Sequence, residues 1–278
     1  MNKTNKTWLI TGCSTGLGRA FAQEVLKNGY NAVVTSRNSK DIQDIVADYP
    51  YTTLGLALDV TDKEQIASVV EQAKTKFGCI DILLNNAGFG YRSAVEEADE
   101  RQVEALFATN FFGTINMLKA VLPTMRKQRS GVIFNVSSIA GRFSNAGSGY
   151  YSATKYAIEG MSDALSKEVE PLGIKVVVVE PGAFRTDFSG RSLTGTPNEI
   201  ADYKETAGKR RKENDHTNGT EPGDPQKAAQ IIIKLSECEN PPFRLLLGTD
   251  AISIIGKELE SQIKELEEWK AISLGTDY

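Results

Sequence analysis

Short apolar, β-branched runs alternate along this chain with longer segments in which apolar residues recur every three or four positions. Seven runs have strand character, and they lie at residues 8–11, 32–35, 53–58, 80–84, 132–136, 175–179 and 244–247. Helical spacing is found near residues 17–28, 39–48, 62–77, 100–128 with a break, 150–171, 225–237 and 250–270. The runs are almost continuously apolar, as in strands buried on both faces. The alternation predicts an α/β fold with a doubly wound parallel sheet of about seven strands.

No internal repeat, low-complexity tract or flexible linker divides the chain, so we expect residues 1–278 to form a single domain. The longest irregular stretch runs from about Asp187 to Asp224. Loops of that length inside a compact domain are commonly lids over a binding site. We therefore predict a mobile substrate lid at about 187–224, with a short helix from about Asn198 to Asn214.

Composition excludes several classes of function. The net charge is −4 and the basic residues form no stripe, so neither nucleic acid nor a membrane is an expected partner. The three cysteines have no paired spacing and His216 is the single histidine, which argues against disulfides and against a metal site. The N-terminus lacks the apolar stretch of a signal peptide, and no run of about 18 apolar residues follows. We expect a cytoplasmic protein.

A glycine-rich loop follows the first predicted strand and opens into a helical pattern, in the run Thr11-Gly-Cys-Ser-Thr-Gly-Leu-Gly18. Glycines let the backbone approach a pyrophosphate, and the helix N-terminus presents unpaired N–H groups and a favourable dipole. This context indicates a Rossmann-type dinucleotide site rather than a tight turn alone. The residues expected to bind the dinucleotide here are Gly12, Ser14, Thr15, Gly16, Leu17 and Gly18. Cys13 needs only to be small, because no neighbour would activate its thiol.

The residue that follows the second strand bears on which dinucleotide is bound. An acidic residue at this point would hold the ribose 2′-hydroxyl of NAD, whereas an arginine would accommodate the 2′-phosphate of NADP. The chain has no acid here and carries Arg37, whose forked donors suit a phosphate. The sequence favours NADP(H), with NAD(H) possible because one residue rarely decides the preference.

Tyr151 and Lys155 are four residues apart in a predicted helix, so their side chains share one face. A free tyrosine has a pKa near ~10, but a cation within ~4–6 Å favours the phenolate and lowers that value. The pair can therefore serve as a general acid/base. An isolated match of this kind is more often a solvated surface pair, and the glycine loop elsewhere in the chain is what raises its weight.

Together these features resemble the short-chain dehydrogenase/reductase family, and the resemblance runs from residue 7 to about residue 188. The motifs that carry it are TGxxxGxG at 11–18, Asp59-Val60, Asn85-Asn86-Ala87-Gly88, Asn110, Ser137-Ser138, YxxxK at 151–155, and Pro181-Gly182 with Thr186. All of them occur in the order that the family has. One departure is Thr15, where some NADP-dependent members carry a basic residue, which leaves Arg37 as the main support for NADP.

The resemblance implies a role for each matching residue. Tyr151 would be the general acid/base, Lys155 its partner and a donor to the nicotinamide ribose, and Ser138 the hydroxyl that holds the substrate oxygen. Asn110 would anchor a water that links Lys155 to solvent. The further residues implied in cofactor binding are Asp59, Val60, Asn86, Ala87, Gly88, Pro181, Gly182, Phe184 and Thr186. No metal is implied.

The expected function is hydride transfer between a nicotinamide cofactor and a small-molecule carbonyl or alcohol substrate. Aromatic and apolar residues near strand ends and in the predicted lid suggest a bulky apolar substrate, although about half of them should be ordinary core. These residues are Phe89, Tyr91, Phe143, Phe184, Phe188, Leu193 and Tyr203.

Three alternatives remain open at this point. The chain could be a dinucleotide-binding redox sensor without turnover, because a fold alone never proves activity. It could also be an NAD-preferring alcohol dehydrogenase of the same family. A sugar-nucleotide epimerase or dehydratase of the extended branch fits the length and the loop spacing less well. The family resemblance also implies a homo-oligomer formed through the long helices near 100–128 and 150–171.

Overall fold

The structure is a computed structural model, and it describes residues 6–188, 190, 192–217 and 219–278, with the backbone alone for 214–217. Positions 189, 191 and 218 of the predicted lid lie outside the described residues, as does the side chain of His216.

A seven-stranded parallel sheet forms the centre of the domain, with the strand order β3-β2-β1-β4-β6-β7-β9. Its strands are β1 (Thr7–Ile10), β2 (Asn31–Ser36), β3 (Thr53–Ala57), β4 (Ile82–Asn85), β6 (Gly131–Val136), β7 (Ile174–Pro181) and β9 (Arg244–Leu247). The sequence prediction of a seven-stranded, doubly wound sheet is therefore confirmed. The order reverses beside β1, where β2 lies on one side and β4 on the other, and such a switch point is where open α/β sheets bind ligands.

Helices cover both faces of the sheet. They are α1 (Gly16–Lys27), α2 (Gln43–Asp48), α3 (Lys63–Phe77), α4 (Glu100–Phe107), α5 (Thr114–Gln128), α6 (Gly149–Val169), α7 (Lys209–Thr217), α8 (Pro225–Ser236) and α9 (Thr249–Leu274). Successive strand residues face opposite layers, so Trp8 and Ile10 pack with α1 and α8, whereas Leu9 packs with α3 and α5. Both layers are apolar, which explains why the strands read as continuous apolar runs.

The predicted break within residues 100–128 is a π-helical segment, Ala108–Gly113, which joins α4 to α5 without ending the helix. Gly113 lies where a Cβ would press on the side chain of Val60, so the helix approaches the loop after β3 closely. Such π-bulges re-aim side chains and are frequent at functional sites. By length and composition alone, the continuous helix Glu100–Gln128 could also cross a membrane. Its residues Met117 and Val121 are buried in the core of this domain.

The sequence did not predict a second, two-stranded parallel sheet, which is formed by β5 (Gly90–Arg92) and β8 (Leu193–Gly195). Three-residue strands give too short a pattern to recognise. The prediction that the stretch from about Asp187 to Asp224 lacks strand character is therefore wrong, because β8 ties its beginning to the strand that follows β4. The predicted helix near 198–214 is present as two short irregular turns, Ala201–Tyr203 and Lys204–Gly208, followed by α7.

Candidate active site

The candidate site lies at the carboxyl ends of β1, β4, β6 and β7. The glycine loop follows β1, Asn86 follows β4, Ser138 follows β6, and Pro181 ends β7. Parallel strands bring these ends to one edge of the sheet, on the side where doubly wound folds bind their ligands.

The glycine loop forms a cradle that only glycine permits. Gly12 and Gly16 have positive φ angles of 73° and 60°. A Cβ at Gly12 would stand 2.9 Å from the Cα of Ala87, and a Cβ at Gly18 would overlap the carbonyl oxygen of Gly12. At the N-terminus of α1 the Thr15 side chain makes no capping hydrogen bond, and the first turn carries no acid. Backbone donors and the helix dipole are therefore arranged for an anionic ligand.

Two polar side chains brace this cradle against β4. The Thr11 hydroxyl accepts hydrogen bonds from the backbone N–H groups of Asn86 and Ala87, both at 3.0 Å. The Asn86 amide in turn donates to the carbonyl oxygens of Thr11 and Gly12, each at 3.0 Å. Asn86 thus shapes the loop rather than pointing freely at a ligand. Thr11 was not among the predicted site residues, although its place at the start of the TGxxxGxG motif was a signal.

An open cleft of about 440 Å³ adjoins the glycine loop. Its lining includes Ser14, Thr15, Gly16 and Thr186, so the loop and the segment after β7 face each other across it. A Cβ at Gly16 would stand 3.5 Å from the Cβ of Thr186, which measures how closely the two segments approach. Leu17 instead packs on the hydrophobic core below. The cradle, the uncapped helix end and the cleft fit the pyrophosphate and nicotinamide parts of a dinucleotide.

The segment after β7 is held by an acidic side chain from the distant helix α9. Asp250 accepts a hydrogen bond of 2.7 Å from the backbone N–H of Ala183, and a Cβ at Gly182 would overlap its carboxylate. Sequence reasoning missed Asp250, and nothing in the sequence around it marks such a role. Phe184, predicted as a cofactor contact, packs against the hydrophobic core.

Arg37 is exposed at the end of β2, and within the described part of the chain no hydrogen bond or ion pair holds its side chain. Two other arginines line the cleft at the glycine loop. Arg19 is engaged by the Asp44 carboxylate and by the Asp41 carbonyl oxygen at 3.3 Å, and Arg185 donates to the Glu221 carbonyl oxygen at 3.1 Å.

Several of the further residues predicted to bind the cofactor contact other parts of the protein in this structure. One carboxylate oxygen of Asp59 accepts hydrogen bonds from the backbone N–H and the hydroxyl of Thr61, at 2.9 and 2.7 Å. The side chain of Val60 is buried in the core beside Gly113. Gly88 lies where a Cβ would stand 3.1 Å from Oδ1 of Asn110.

Ser138, Tyr151 and Lys155 come together at the end of β6, on the edge of the sheet that also carries the glycine loop. The Ser138 hydroxyl accepts from the backbone N–H of Ala140 at 3.1 Å and lies near enough to the Tyr151 hydroxyl to lower the pKa of that phenol. Nζ of Lys155 lies 5.7 Å from the centre of the Tyr151 ring and donates to the carbonyl oxygen of Val136 at 2.9 Å. The helix α6 and the end of β6 therefore bring two hydroxyl groups and one ammonium together.

The pKa of Tyr151 differs from the expectation drawn from its sequence. Burial raises the pKa of Tyr151 to about 12, and the nearby Ser138 hydroxyl opposes that rise. Lys155 does not lower it here, because its ammonium is directed at the Val136 carbonyl and burial lowers the pKa of Lys155 itself to about 8. The phenol is therefore neutral at physiological pH, which is the form that can donate a proton.

Asn110 lies in the π-helical segment and is almost fully buried. Its amide exchanges two hydrogen bonds with the backbone of Phe89, with Oδ1 accepting at 3.0 Å and Nδ2 donating at 2.8 Å. Nδ2 also lies 3.3 Å from the hydroxyl of Thr154, which donates to the Tyr151 carbonyl oxygen at 2.7 Å. Asn110 thus connects the loop after β4 to the helix turn that carries Tyr151.

A family model described as short chain dehydrogenase matches residues 6–195 of this chain. The chain belongs to the short-chain dehydrogenase family. It is similar to oxidoreductase BOA17 of Botryotinia fuckeliana, with 38% identity over 272 residues, 98% of this chain and 99% of that protein. It is also similar to 3-ketodihydrosphingosine reductase of Bacteroides thetaiotaomicron, with 40% identity over 244 residues, 86% of this chain and 87% of that protein.

Among solved structures, a short-chain dehydrogenase from Streptomyces avermitilis superimposes with a TM-score of 0.91 at 41% identity, and the match covers 98% of both chains. The protein is accordingly an NAD(P)-dependent oxidoreductase of the short-chain dehydrogenase family that acts on CH–OH groups. A turnover-free sensor has no support from these relatives.

The family match ends at residue 195, so most of the predicted lid and the helix α9 lie beyond it. Within the lid, Phe188 places its ring centre 5.8 Å from that of Tyr151. Of the other predicted pocket residues, Tyr91 is buried core. A Cβ at Gly90 would stand 3.1 Å from the tip of the Phe188 ring, so Phe188 is wedged between β5 and the candidate acid.

Neither a reactive thiol nor a metal centre is apparent in the part of the chain that the structure describes. Burial raises the pKa of the Cys13 thiol to about 12, and the thiol donates to the Ile10 carbonyl oxygen at 3.4 Å. Its position in the glycine loop is therefore structural. Among the described residues no group of three or more His, Cys, Asp or Glu side chains converges on a point.

Proposed function

We propose that this short-chain dehydrogenase reduces a ketone that carries an extended apolar chain, uses NADPH in preference to NADH, and employs Tyr151 as its general acid. The observation that carries the proposal is that Ser138, Tyr151 and Lys155 come together at the edge of the sheet that also carries the glycine cradle. A dinucleotide held in that cradle would supply the hydride.

The chain's own residues would then handle the substrate oxygen and its proton. The Ser138 and Tyr151 hydroxyl groups are near neighbours, so a carbonyl oxygen placed between them would meet two hydroxyl donors. The neutral phenol of Tyr151 gives its proton to the oxygen as negative charge develops there. Lys155 provides a positive charge close to the phenolate that remains.

The preference for NADPH rests on Arg37. Its guanidinium is exposed at the end of β2, where the ribose of a dinucleotide bound at this switch point would lie. Arg19 and Arg185, which line the cleft, are already engaged by the Asp44 carboxylate and by the Glu221 carbonyl oxygen. A second negative charge on the cofactor would therefore meet an unoccupied guanidinium.

The apolar side chains next to Tyr151 support the proposal of an apolar substrate. Phe188 packs at an angle of 54° to the Tyr151 ring and remains 36% exposed, which leaves an aromatic surface beside the reacting group. Leu193 follows it on β8 and contacts Gly90. The relative named 3-ketodihydrosphingosine reductase points to the same class, a ketone on a long hydrocarbon chain.

A panel assay tests this proposal directly. NADPH oxidation is followed at saturating cofactor with ketones of increasing chain length, from acetone through 2-octanone to 3-ketodihydrosphingosine. We expect kcat/KM to rise with chain length because each added methylene buries apolar area on the Phe188 side. Equal or falling kcat/KM along the series would contradict the apolar substrate and leave the acid/base assignment intact.

We extend the proposal to a cytoplasmic homo-oligomer. Phe112 on the π-helical segment and Tyr156 on α6 are exposed by 53% and 46%, on the helices where such an interface was predicted from the family resemblance. Exposed large apolar side chains mark interaction surfaces when they are clustered. Light scattering of the purified chain measures the mass, and a monomer at micromolar concentration would contradict this part.

A further inference from the structure

A cluster of buried charges lies under α6, one helical turn beyond Lys155. Glu159 and Glu180 expose only 5% and 0% of their surface. Nε of Arg244 donates to Glu159 at 2.9 Å and lies 3.6 Å from Glu180. Nη1 of Arg142 donates to Glu180 at 3.2 Å. Two carboxylates from different elements therefore share one guanidinium, and a second guanidinium serves only Glu180.

Some buried polar atoms of this cluster lack hydrogen-bond partners. One carboxylate oxygen of each glutamate, Oε1 of Glu159 and Oε2 of Glu180, is buried without a hydrogen-bond partner, and so is the hydroxyl oxygen of Ser137. Ser137 is next to Glu180 across the sheet, because its N–H donates to the carbonyl oxygen of Val179. Two buried carboxylates that lack full compensation cannot both ionise freely. Burial and the nearby Glu159 raise the pKa of Glu180 to about 7.

Lys155 adjoins the same cluster. A Cβ built on Gly141 would stand 2.6 Å from Oγ of Ser137, 3.0 Å from Cγ of Glu159 and 3.2 Å from the carbonyl carbon of Lys155, so all three surround one point. Glu159 is also four residues after Lys155 on the buried face of α6. Lys155 is 6% exposed, and burial lowers its pKa to about 8, whereas the Glu159 carboxylate raises it.

We propose that Glu159 is a positioning residue whose carboxylate keeps Lys155 charged. Glu180 holds a proton, because the two buried glutamates cannot both be ionised. The inference rests on the role proposed above for Lys155. Glu159 does not touch the reacting atoms and acts only through the ammonium. The two glutamates differ in their neighbours: Glu159 contacts Arg244 and is one helical turn from Lys155, whereas Glu180 contacts both Arg142 and Arg244.

The charged and titratable groups around Glu159 come from every element packed on it. They are Lys155 and Asp163 on α6, Arg142 after the turn Ile139–Gly141, Glu180 on β7, Arg244 on β9, and Tyr156 with Glu258 at the rim next to Arg142. Asp163 is largely solvated, with 43% of its side chain exposed. Its effect on Lys155 is therefore screened, which leaves Glu159 as the anion that matters.

Glu159→Gln and Glu180→Gln form a matched pair for the test, because both remove a buried carboxylate that contacts Arg244. In the wild type, kcat/KM for ketone reduction should fall as pH rises through about 8, where Lys155 loses its proton. We expect Glu159→Gln to move this alkaline limb about one pH unit lower. Glu180→Gln should leave the limb at or above the wild-type pH. Glu159→Asp should fall between Glu159→Gln and the wild type.

A second readout does not depend on turnover. The ε-carbon signal of Lys155 in protein labelled with [ε-¹³C]lysine, assigned with Lys155→Arg, reports the lysine titration directly. It should shift to lower pH in Glu159→Gln and not in Glu180→Gln. Equal shifts in both variants, or none in either, would overturn the inference. If Glu159→Gln does not fold, Glu159→Asp must still give a smaller shift in the same direction. A titration shift without a matching kinetic limb would instead overturn the proposed role of Lys155.

Discussion

The two sides of the active-site cleft are built in different ways. The cofactor side consists of backbone and small residues at the ends of buried strands, with Gly12 and Gly18 packed against neighbouring main chain and Thr11 bracing the loop. The substrate side consists of side chains such as Phe188, carried by a segment that lies outside the main sheet.

The substrate side is held largely through one buried carboxylate. Glu97 accepts hydrogen bonds from the backbone N–H groups of Ala94 and Ile200, both at 2.9 Å, and from Arg211 at 2.7 Å. The Arg211 guanidinium keeps the pKa of Glu97 at about 2, so this anchor is charged throughout the neutral range. The segment predicted to be a mobile lid is therefore tied down at its middle by an ion pair.

This difference predicts where amino-acid substitutions are tolerated. Main-chain packing on the cofactor side leaves no room for a changed side chain, so changes there should affect every substrate. On the substrate side the Glu97 carboxylate, a three-residue strand pair and side-chain contacts hold the segment that carries Phe188. Changes there should alter substrate affinity and leave the chemistry in place. The following variants separate the two cases.

Among the variants that compare the two sides, the largest effect on cofactor binding is expected from Gly18→Ala. The added Cβ would overlap the Gly12 carbonyl oxygen, which belongs to the backbone and cannot move aside cheaply. NADPH binding, followed by fluorescence titration, should weaken at least about 10²-fold because the cradle must open. Gly160→Ala is the matched control, since Gly160 is in α6 with open space around it and should gain about 0.5–1 kcal/mol of stability. Wild-type affinity in Gly18→Ala would refute the cradle.

Ser138→Ala should have the next largest effect. It removes one of the two hydroxyl groups at the substrate oxygen, the neighbour of the Tyr151 hydroxyl. We expect kcat to fall by roughly 10²-fold, as when one donor of an oxyanion site is lost. Single-turnover kinetics with NADPH measure this step, and an unchanged rate would remove Ser138 from the mechanism. The same loss should appear with every ketone in the panel.

Arg37→Asp tests the proposed preference for NADPH over NADH. Loss of the guanidinium and repulsion of the 2′-phosphate should lower the ratio of kcat/KM for NADPH over NADH by about 10- to 100-fold. Arg19→Gln serves as the control, because Arg19 is paired with Asp44 and should leave the ratio near that of the wild type. A wild type with no preference between the two cofactors would contradict the role of Arg37.

Glu97→Gln should give the smallest kinetic change, together with a clear loosening of the segment that carries Phe188. The variant weakens the pairing with Arg211, so the wall next to Tyr151 loosens. KM for an apolar ketone should rise several-fold with kcat little changed, since only substrate binding is affected. Limited proteolysis between Gly190 and Gly223 should accelerate. Glu96→Gln is the control, because the exposed Glu96 carboxylate accepts from the Tyr203 hydroxyl at the surface, where the loss of one contact should matter little. Equal proteolysis of both variants would reject the anchor.

The sequence predicted the cofactor side because the residues that form it lie close together along the chain. A glycine loop between a strand and a helix, or a Tyr151 and Lys155 four residues apart, is visible in a short stretch of sequence. Asp250 and Glu97 act on backbone groups that are 67 and 103 residues away, at Ala183 and Ile200, and no local pattern records such a contact. The strand pair β5 and β8 was missed for the same reason.

The pKa of Tyr151 was misjudged for a different physical reason. Its spacing from Lys155 correctly placed the ammonium near the ring, at 5.7 Å. The sequence could not give the degree of burial, and burial disfavours the charged form of both groups. It raises the pKa of Tyr151 and lowers the pKa of Lys155, so the desolvation of the pair outweighs their attraction.

Tyr151→Phe tests the central claim most directly, because it deletes one hydroxyl and leaves the ring that packs on Phe188. NADPH affinity and ketone turnover are measured on the same preparation, by fluorescence titration and by single-turnover oxidation of NADPH. We predict that turnover falls by at least about 10³-fold while NADPH affinity stays within a few-fold of the wild type, since the variant lacks only the proton donor. Turnover within tenfold of the wild type would contradict the assignment of Tyr151 as the general acid.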